Sequence, residues 1–172
     1  TNINYNMGAG ILPVCFNGVS LLFLLGKEQN NEWSDFGGSS NSRYESTFHT
    51  AIREGYEETN GLLGNKYELG LKVKNNYILD YSNHRYTTHL FKINYDNNLP
   101  LYYNNNFNFI QKNYPQIIKE KNNGLYEKKE IDWFEKKQIY DLNLRPFYKK
   151  IIYPILDREK EIIESLKKIE IL

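Results

Sequence analysis

The chain has a single cysteine, Cys15. It can form neither an internal disulfide nor a thiolate metal cage, so a reducing compartment is the default expectation. Its apolar neighbours make it a buried, inert thiol rather than a nucleophile. Histidine is scarce as well. His49, His84 and His89 show neither HxxxH nor HxH spacing, which argues against a histidine-built zinc site. Charge of one sign is also missing: the formal net charge over 172 residues is +1. No broad basic field points to nucleic acid, and no acidic tail points to disorder. Long apolar runs are absent too. The most apolar stretch, 11–26, falls short of the roughly 20 residues of a membrane-spanning helix and is broken by Asn17-Gly18. No basic segment leads into a cleavage site, so no secretion signal is expected, and the expected location is cytoplasmic.

Hydrophobic residues make up 40% and aromatics 15%, with 15 tyrosines. That composition suits a globular protein, and the length suits one domain over 1–172. The abundance of Asn, Lys and Ile over Arg is the bias of an AT-rich genome, such as that of a large DNA virus or a protist. A viral protein would then work in the host cytoplasm.

Asn-Gly between apolar runs is a hairpin signal, because a type I′ turn needs two residues at positive φ. The expected strands are 9–16 and 19–26. A helix is expected at 43–59, opened by a Ser42/Glu45 capping box and closed by Asn60-Gly61, both tolerant of the left-handed conformation. The β-branched and aromatic segments 67–81 and 85–95 read as strands. Residues 96–124 are Asn-rich and long, either a surface insertion or a loop and helix covering a site. A strand and helical turn follow near Trp133. An amphipathic helix is expected at about 155–171, with Pro154 at its start or at a kink. The order is hairpin, helix, strands, helix: a mixed α/β domain without a repeated βαβ rhythm.

On the expected helix, Glu54 has Glu57 at i+3 and Glu58 at i+4. Residues at this spacing share a face, and like charges there repel by a few tenths of a kcal/mol per pair. Either the face is solvated, with Arg53 and Lys66 nearby, or a hard cation offsets the repulsion. Mg²⁺ and Mn²⁺ take oxygen ligands, and Mg²⁺ commonly shares its coordination with substrate phosphates.

The flanking residues extend this pattern. Gly37-Gly38 precedes Glu45, and seven residues later comes "REGYEETNG". The arrangement resembles the Nudix hydrolase signature, in which a glycine is followed by Glu and then R-E-U-x-E-E-x-G-U, U being bulky and aliphatic. "WSDFGG" is similar to the lead-in of that family, and "EKKEIDWFEKKQIYDL" to its late strand and turn, so the resemblance spans most of 9–142. It implies an α/β/α sandwich with a mixed sheet between helices, and hydrolysis of a nucleoside diphosphate linked to another group. It further implies Mg²⁺ or Mn²⁺ held by Glu54, Glu57, Glu58 and the Gly37 carbonyl. Arg53 would orient a site carboxylate, while Gly38 and Glu45 would support the loop and the far end of the helix. A general base is also wanted. In the family it can be a glutamate just before the late strand, which points here to Glu127 or Glu130 with Glu127 favoured; Glu54 or Glu58 are alternatives. Three positions depart from the signature. One extra residue lies between Gly38 and Glu45, Gly55 stands at the aliphatic position, and Asn60 stands where Gly is usual.

The substrate is left open. Aromatics able to stack a base are Trp33, Phe36, Tyr81, Tyr86, Tyr102, Tyr103 and Phe107, most of them read as core or surface filler, and His89 is a core histidine or a pocket-lining one, with core favoured. The helix and "RPFYKKII" look like viral decapping-type Nudix proteins, and Lys149, Lys150, Lys167 and Lys168 could meet the phosphates of capped RNA. Free nucleotides or dinucleoside polyphosphates suit a small, near-neutral protein equally well. A Nudix fold can also bind without turnover, but loss of signature carboxylates would mark that case, and all are present.

Overall fold

The structure is a computed structural model and describes residues 7–169. Two apolar strands, β1 (Gly8–Phe16) and β2 (Leu21–Glu28), begin the fold and pair antiparallel, with Phe16 opposite Leu21. The turn between them differs from the expected type I′. Its central residues are Gly18 and Val19, and only Gly18 has positive φ, at 95°. That pattern belongs to type II′. Asn17 stands before the turn, where its side chain accepts from the Val19 and Ser20 amides at 3.0 and 2.8 Å.

Two short strands, β3 (Trp33–Ser34) and β4 (Phe36–Ser39), precede the first helix, α1 (Thr47–Glu58). The helix starts later than its sequence predicts. Its N-cap is Ser46, which accepts from the His49 amide, and Glu45 bonds instead to the Asn41 amide and to Arg53. The capping box was misplaced because Ser46 competes with Ser42 for the same role, and Glu45 is drawn to a stronger cationic partner. Asn60 and Gly61 do end the helix in the left-handed region, at φ 51° and 70°.

Residues 67–75, expected as the first part of the 67–81 strand, instead belong to α2 (Lys66–Asn75). An Asn65/Glu68 capping box opens it, and Leu69 and Val73, four apart, are its buried positions. The reciprocal cap and the i, i+4 apolar pair outweigh the β-propensity of the local residues. Next come β5 (Tyr77–Asn83) and β6 (Tyr86–Lys92), then α3 (Leu99–Asn113) and α4 (Pro115–Lys119). The chain closes with β7 (Lys128–Phe134), α5 (Lys136–Ile139), α6 (Pro146–Leu156) and α7 (Glu159–Lys168). The expected C-terminal helix is thus two helices broken at Asp157-Arg158. Pro154 lies inside the first of them, and Pro146 begins it at a position where the missing amide costs nothing. The end of that expected helix, 170–171, lies outside the described residues.

The strands make one seven-stranded mixed sheet ordered β3-β2-β1-β6-β5, with β4 on β1 and β7 on β2. Among the described strands, only β1 and β6 pair parallel. β1 shares one edge between β2, at residues 14–16, and β4, at residues 8–11. That split carries Gly37 and Gly38 onto the buried N-terminal half of β1. Both sheet faces are covered, so β1 reads as a nearly continuous apolar run. Ala9, Ile11 and Cys15 pack with α1, α2 and α3, whereas Leu12 and Val14 pack with α6 and α7. The fold is therefore an α/β/α sandwich. Burial pushes the Cys15 thiol up to about 12, which leaves it protonated and inert. No helix among the described residues is long and apolar enough to cross a membrane.

Candidate active site

The polar face of α1 runs beneath the Gly37–Gly38 strand. Arg53 sits at its middle and gathers acidic groups on three sides. Its Nε lies 3.0 Å from Glu45 Oε1, and its Nη1 lies 2.6 Å from Glu54 Oε1 and 3.7 Å from Glu57 Oε2. Its Nη2 donates to the Ser39 carbonyl at 2.9 Å, which ties the helix to the end of β4. The Arg53 hydrogen bonds hold the Glu45 carboxyl down at about 2. Glu54 moves the other way: burial raises it, with Glu57 and Glu45 adding to the effect against Arg53.

One turn further on, Glu58 points inward and is 3% exposed. Its Oε2 accepts from the Gly37 amide at 2.8 Å and lies 3.6 Å from Lys128 Nζ. Lys128 opens β7 and is fully buried. It also reaches Glu28 Oε1 at 2.8 Å and Ser34 Oγ at 2.7 Å. Burial works against its charge, but Glu58 and Glu28 outweigh that and hold its pKa above the ordinary lysine value. Burial, helped by Glu28 and Asp35, pushes Glu58 well up despite Lys128. Asp35 is buried too, and burial pushes it up to about 6 against the hydrogen bond it accepts from Tyr86 at 2.7 Å.

Close backbone approach explains the glycines. A side chain at Gly37 would collide with the Tyr86 hydroxyl and the Gly10 backbone, and one at Gly38 with the Glu54 carboxylate. Gly124, far along the chain, approaches the Glu57 carboxylate in the same way. Gly55, unexpected in mid-helix, lies where any side chain would strike Ile11 of β1. Its absence of bulk lets α1 sit close on the sheet.

The segment after β6 builds the remaining wall. Tyr103 of α3 places its hydroxyl 2.9 Å from both the Glu58 and Lys128 carbonyl oxygens. Asn104 bonds the amide and carbonyl of Ile131 along the edge of β7. Asn60 accepts from the Tyr126 amide at 2.8 Å, which fixes the turn leading to Glu127. Burial raises Glu127, and the charges of Glu54, Glu28 and Glu57 raise it further. Glu130 instead pairs with Lys27 at 2.5 Å across the β2–β7 ladder. Of the two base candidates, Glu127 has the α1 carboxylates among its electrostatic neighbours, whereas Glu130 is engaged by Lys27.

A cavity of about 500 Å³ opens beside these glycines. Arg85, Arg145 and Lys150 line it together with Tyr86 and Phe147, and no carboxylate among the described residues does. Phe147 is 40% exposed, packs edge-on to Tyr86 at 5.3 Å and lies under Arg145 at 5.0 Å. Arg145 also reaches Glu28 at 3.4 Å, and beyond it a second cavity of about 470 Å³ extends past Glu127 to Leu125 and Lys121. Of the aromatics read as stacking candidates, Trp33, Phe36, Tyr103 and Phe107 are core, and Tyr102 is exposed on α3. His89 is buried, 2.7 Å from Asp80. Sequence reasoning overlooked Phe147, Glu28, Asp35 and Lys128.

The donor set suits a hard divalent ion: it is all oxygen and carries more negative charge than Arg53 and Lys128 offset. Among the described residues no three His, Cys, Asp or Glu side chains are gathered as a metal-binding group. Glu54 and Glu58 are turned instead to Arg53, Lys128 and the Gly37 amide.

No family model matches the sequence, and no curated protein matches it. Solved structures do. The NUDIX domain of Shewanella oneidensis NrtR, complexed with ADP ribose, is similar at 12% identity and a TM-score of 0.50; the match covers 89% of this chain and 87% of that one. A C. elegans Ap4A hydrolase binary complex aligns over 95% of this chain and 98% of that one, at 13% identity and a TM-score of 0.47. The likeness is one of architecture: the sandwich is Nudix-type.

Proposed function

We propose that the protein is a Mg²⁺- or Mn²⁺-dependent pyrophosphohydrolase that cleaves a nucleoside diphosphate linked to another group. One juxtaposition carries this reading. The α1 carboxylates Glu54, Glu57 and Glu58 lie behind the Gly37–Gly38 strand, and that strand lines a cavity whose described residues include cations and no carboxylate. Carboxylates alone would repel a diphosphate, and cations alone would bind it without a place to activate water.

Glu54, Glu57, Glu58 and the Gly37 carbonyl would hold the ion. When bound, it would neutralise the diphosphate and lower the pKa of a water. Arg53 orients Glu54 through its 2.6 Å contact. The Gly37 amide and Lys128 fix Glu58. Glu127, raised by burial and like charge, is suited to take a proton from the attacking water at its carboxylate. Arg85, Arg145 and Lys150 would bind phosphate oxygens, and Phe147 offers a face to a base. Positioning and electrostatics would supply most of the rate.

The cavities on either side of Arg145 suit a substrate with a nucleoside at both ends of its phosphate chain. The mRNA 5′ cap is one such group. A free dinucleoside polyphosphate, the housecleaning alternative, satisfies the same observation equally well. The test is a panel of capped RNA, cap analogue, nucleoside triphosphates, ADP-ribose and dinucleoside polyphosphates, with and without Mg²⁺ or Mn²⁺. Glu57→Gln and Glu58→Gln are expected to abolish metal-dependent hydrolysis while circular dichroism stays native. Turnover at the wild-type rate in both variants would remove the metal assignment.

A further inference from the structure

Asn60 stands where the signature has glycine, and it does more than end α1. Its backbone is left-handed, at φ 51°, a conformation that glycine adopts freely. The side chain has a separate partner. Its Oδ1 accepts from the Tyr126 amide at 2.8 Å, across 66 residues of sequence. Because that partner is a donor, Oδ1 must face it. Nδ2 is then left buried, with no partner among the described residues. A residue kept only for the helix end would not strand a polar group in this way, since glycine would serve there with nothing to strand.

The turn on the far side of this bond depends on being held. Tyr126 is left-handed too, at φ 60°. That conformation is unfavourable for a bulky residue and persists where the surroundings impose it. Two further contacts bring the turn to the same end of α1. Gly124, at φ 68°, lies so close to Glu57 that a side chain there would meet its carboxylate. The Tyr103 hydroxyl stands 2.9 Å from the carbonyl oxygens of both Glu58 and Lys128. Glu127 is thus held from both sides. The residue before it is tied to Asn60, and the residue after it opens β7 and meets Tyr103.

We propose that Asn60 is a positioning residue: its side chain fastens the turn bearing Glu127 to the end of α1 that bears Glu57 and Glu58. The consequence for catalysis rests on the pyrophosphohydrolase reading. The fastening itself does not, and the test separates the two.

Asn60→Gly removes the side chain and leaves a backbone at ease at positive φ, so the urea midpoint should stay near that of wild type. Hydrogen–deuterium exchange on the full, metal-free chain reads the fastening. Residues 124–128 should exchange faster in Asn60→Gly, while α1, Thr47–Glu58, exchanges as in wild type. Hydrolysis of the substrate that the panel identifies reads the consequence. The kcat should fall about ten- to a hundredfold, with KM and the Mn²⁺ dissociation constant unchanged. A residue that acts through Glu127 has nothing to act on once that group is gone. In a Glu127→Gln background, Asn60→Gly should therefore cause no further loss of rate. A turn that exchanges as slowly as in wild type would overturn the inference. So would an unchanged kcat, a loss of Mn²⁺ affinity in place of kcat, or losses from the two substitutions that multiply. If wild type hydrolyses no member of the panel, faster exchange confined to the turn keeps the fastening and removes the hydrolase reading instead.

Discussion

The two halves of the α1 polar face treat charge in opposite ways. Toward the N-terminus, Arg53 and Glu45 lie at a partly exposed rim, where one guanidinium serves Glu45, Glu54 and Glu57. Toward the C-terminus, Glu58 meets Lys128 in the interior, with Glu28 and Ser34 completing the pair's shell. The rim can be satisfied by water if a partner is lost; the interior cannot. The same helix therefore combines a tolerant end with an end whose charges depend on one another.

The largest way to break that contrast is to remove Lys128. Lys128→Met leaves Glu58 and Glu28 without their shared cation, and loss of one member of a buried pair costs about 3–5 kcal/mol. Urea unfolding should show that loss. Lys128→Met combined with Glu58→Gln should recover part of it, because the remaining buried group is neutral. If Lys128→Met is as stable as wild type, the interior pair is not held as described. A middle-sized effect is expected at the contact between α1 and the sheet. Gly55→Ala should gain about 1 kcal/mol of helix propensity yet lose about 1–3 kcal/mol to overpacking against Ile11. A net loss in the same urea measurement supports that contact, and a net gain would contradict it.

The contrast also marks what the sequence could reveal. The rim was legible because its partners are local: Glu54 and Glu57 sit at i, i+3 spacing, and a short motif carries Glu45 and Arg53. The interior was not, because "EKKE" gives no sign that Lys128 alone of its neighbours turns inward. That choice is made by β7 pairing with β2, which sets Lys128 opposite Glu28. Phe147 was hidden for a similar reason, since only α6 docking under Tyr86 brings it to the cavity. The sandwich order could be read from the hairpin, signature helix and late strand. Helix α2 could not, because Tyr67, Leu69, Leu71 and Val73 alternate like a strand. The Asn65/Glu68 cap was the available signal that should have decided it.

The smallest effect belongs to the rim. Glu45→Gln removes one of the Arg53 carboxylates but leaves Glu54 and Glu57 on the same guanidinium. Solvent at the rim screens the pair, so about 1 kcal/mol or less of stability should be lost at neutral pH. The pH dependence sharpens this. The folded Glu45 carboxyl lies at about 2, below its unfolded value of about 4.3. A depressed carboxylate stabilises fully above its unfolded pKa, and that contribution fades as pH falls toward the folded one. The stability difference between wild type and Glu45→Gln should therefore hold constant above about pH 5 and shrink from there to about pH 2. Chemical denaturation at several pH values measures it. A difference that grows on acidification would mean that Glu45 is not the charged partner of Arg53. Because Glu45 lies at the far end of the helix from Glu58, the same variant should leave the Lys128→Met penalty unchanged, as sites without shared partners add.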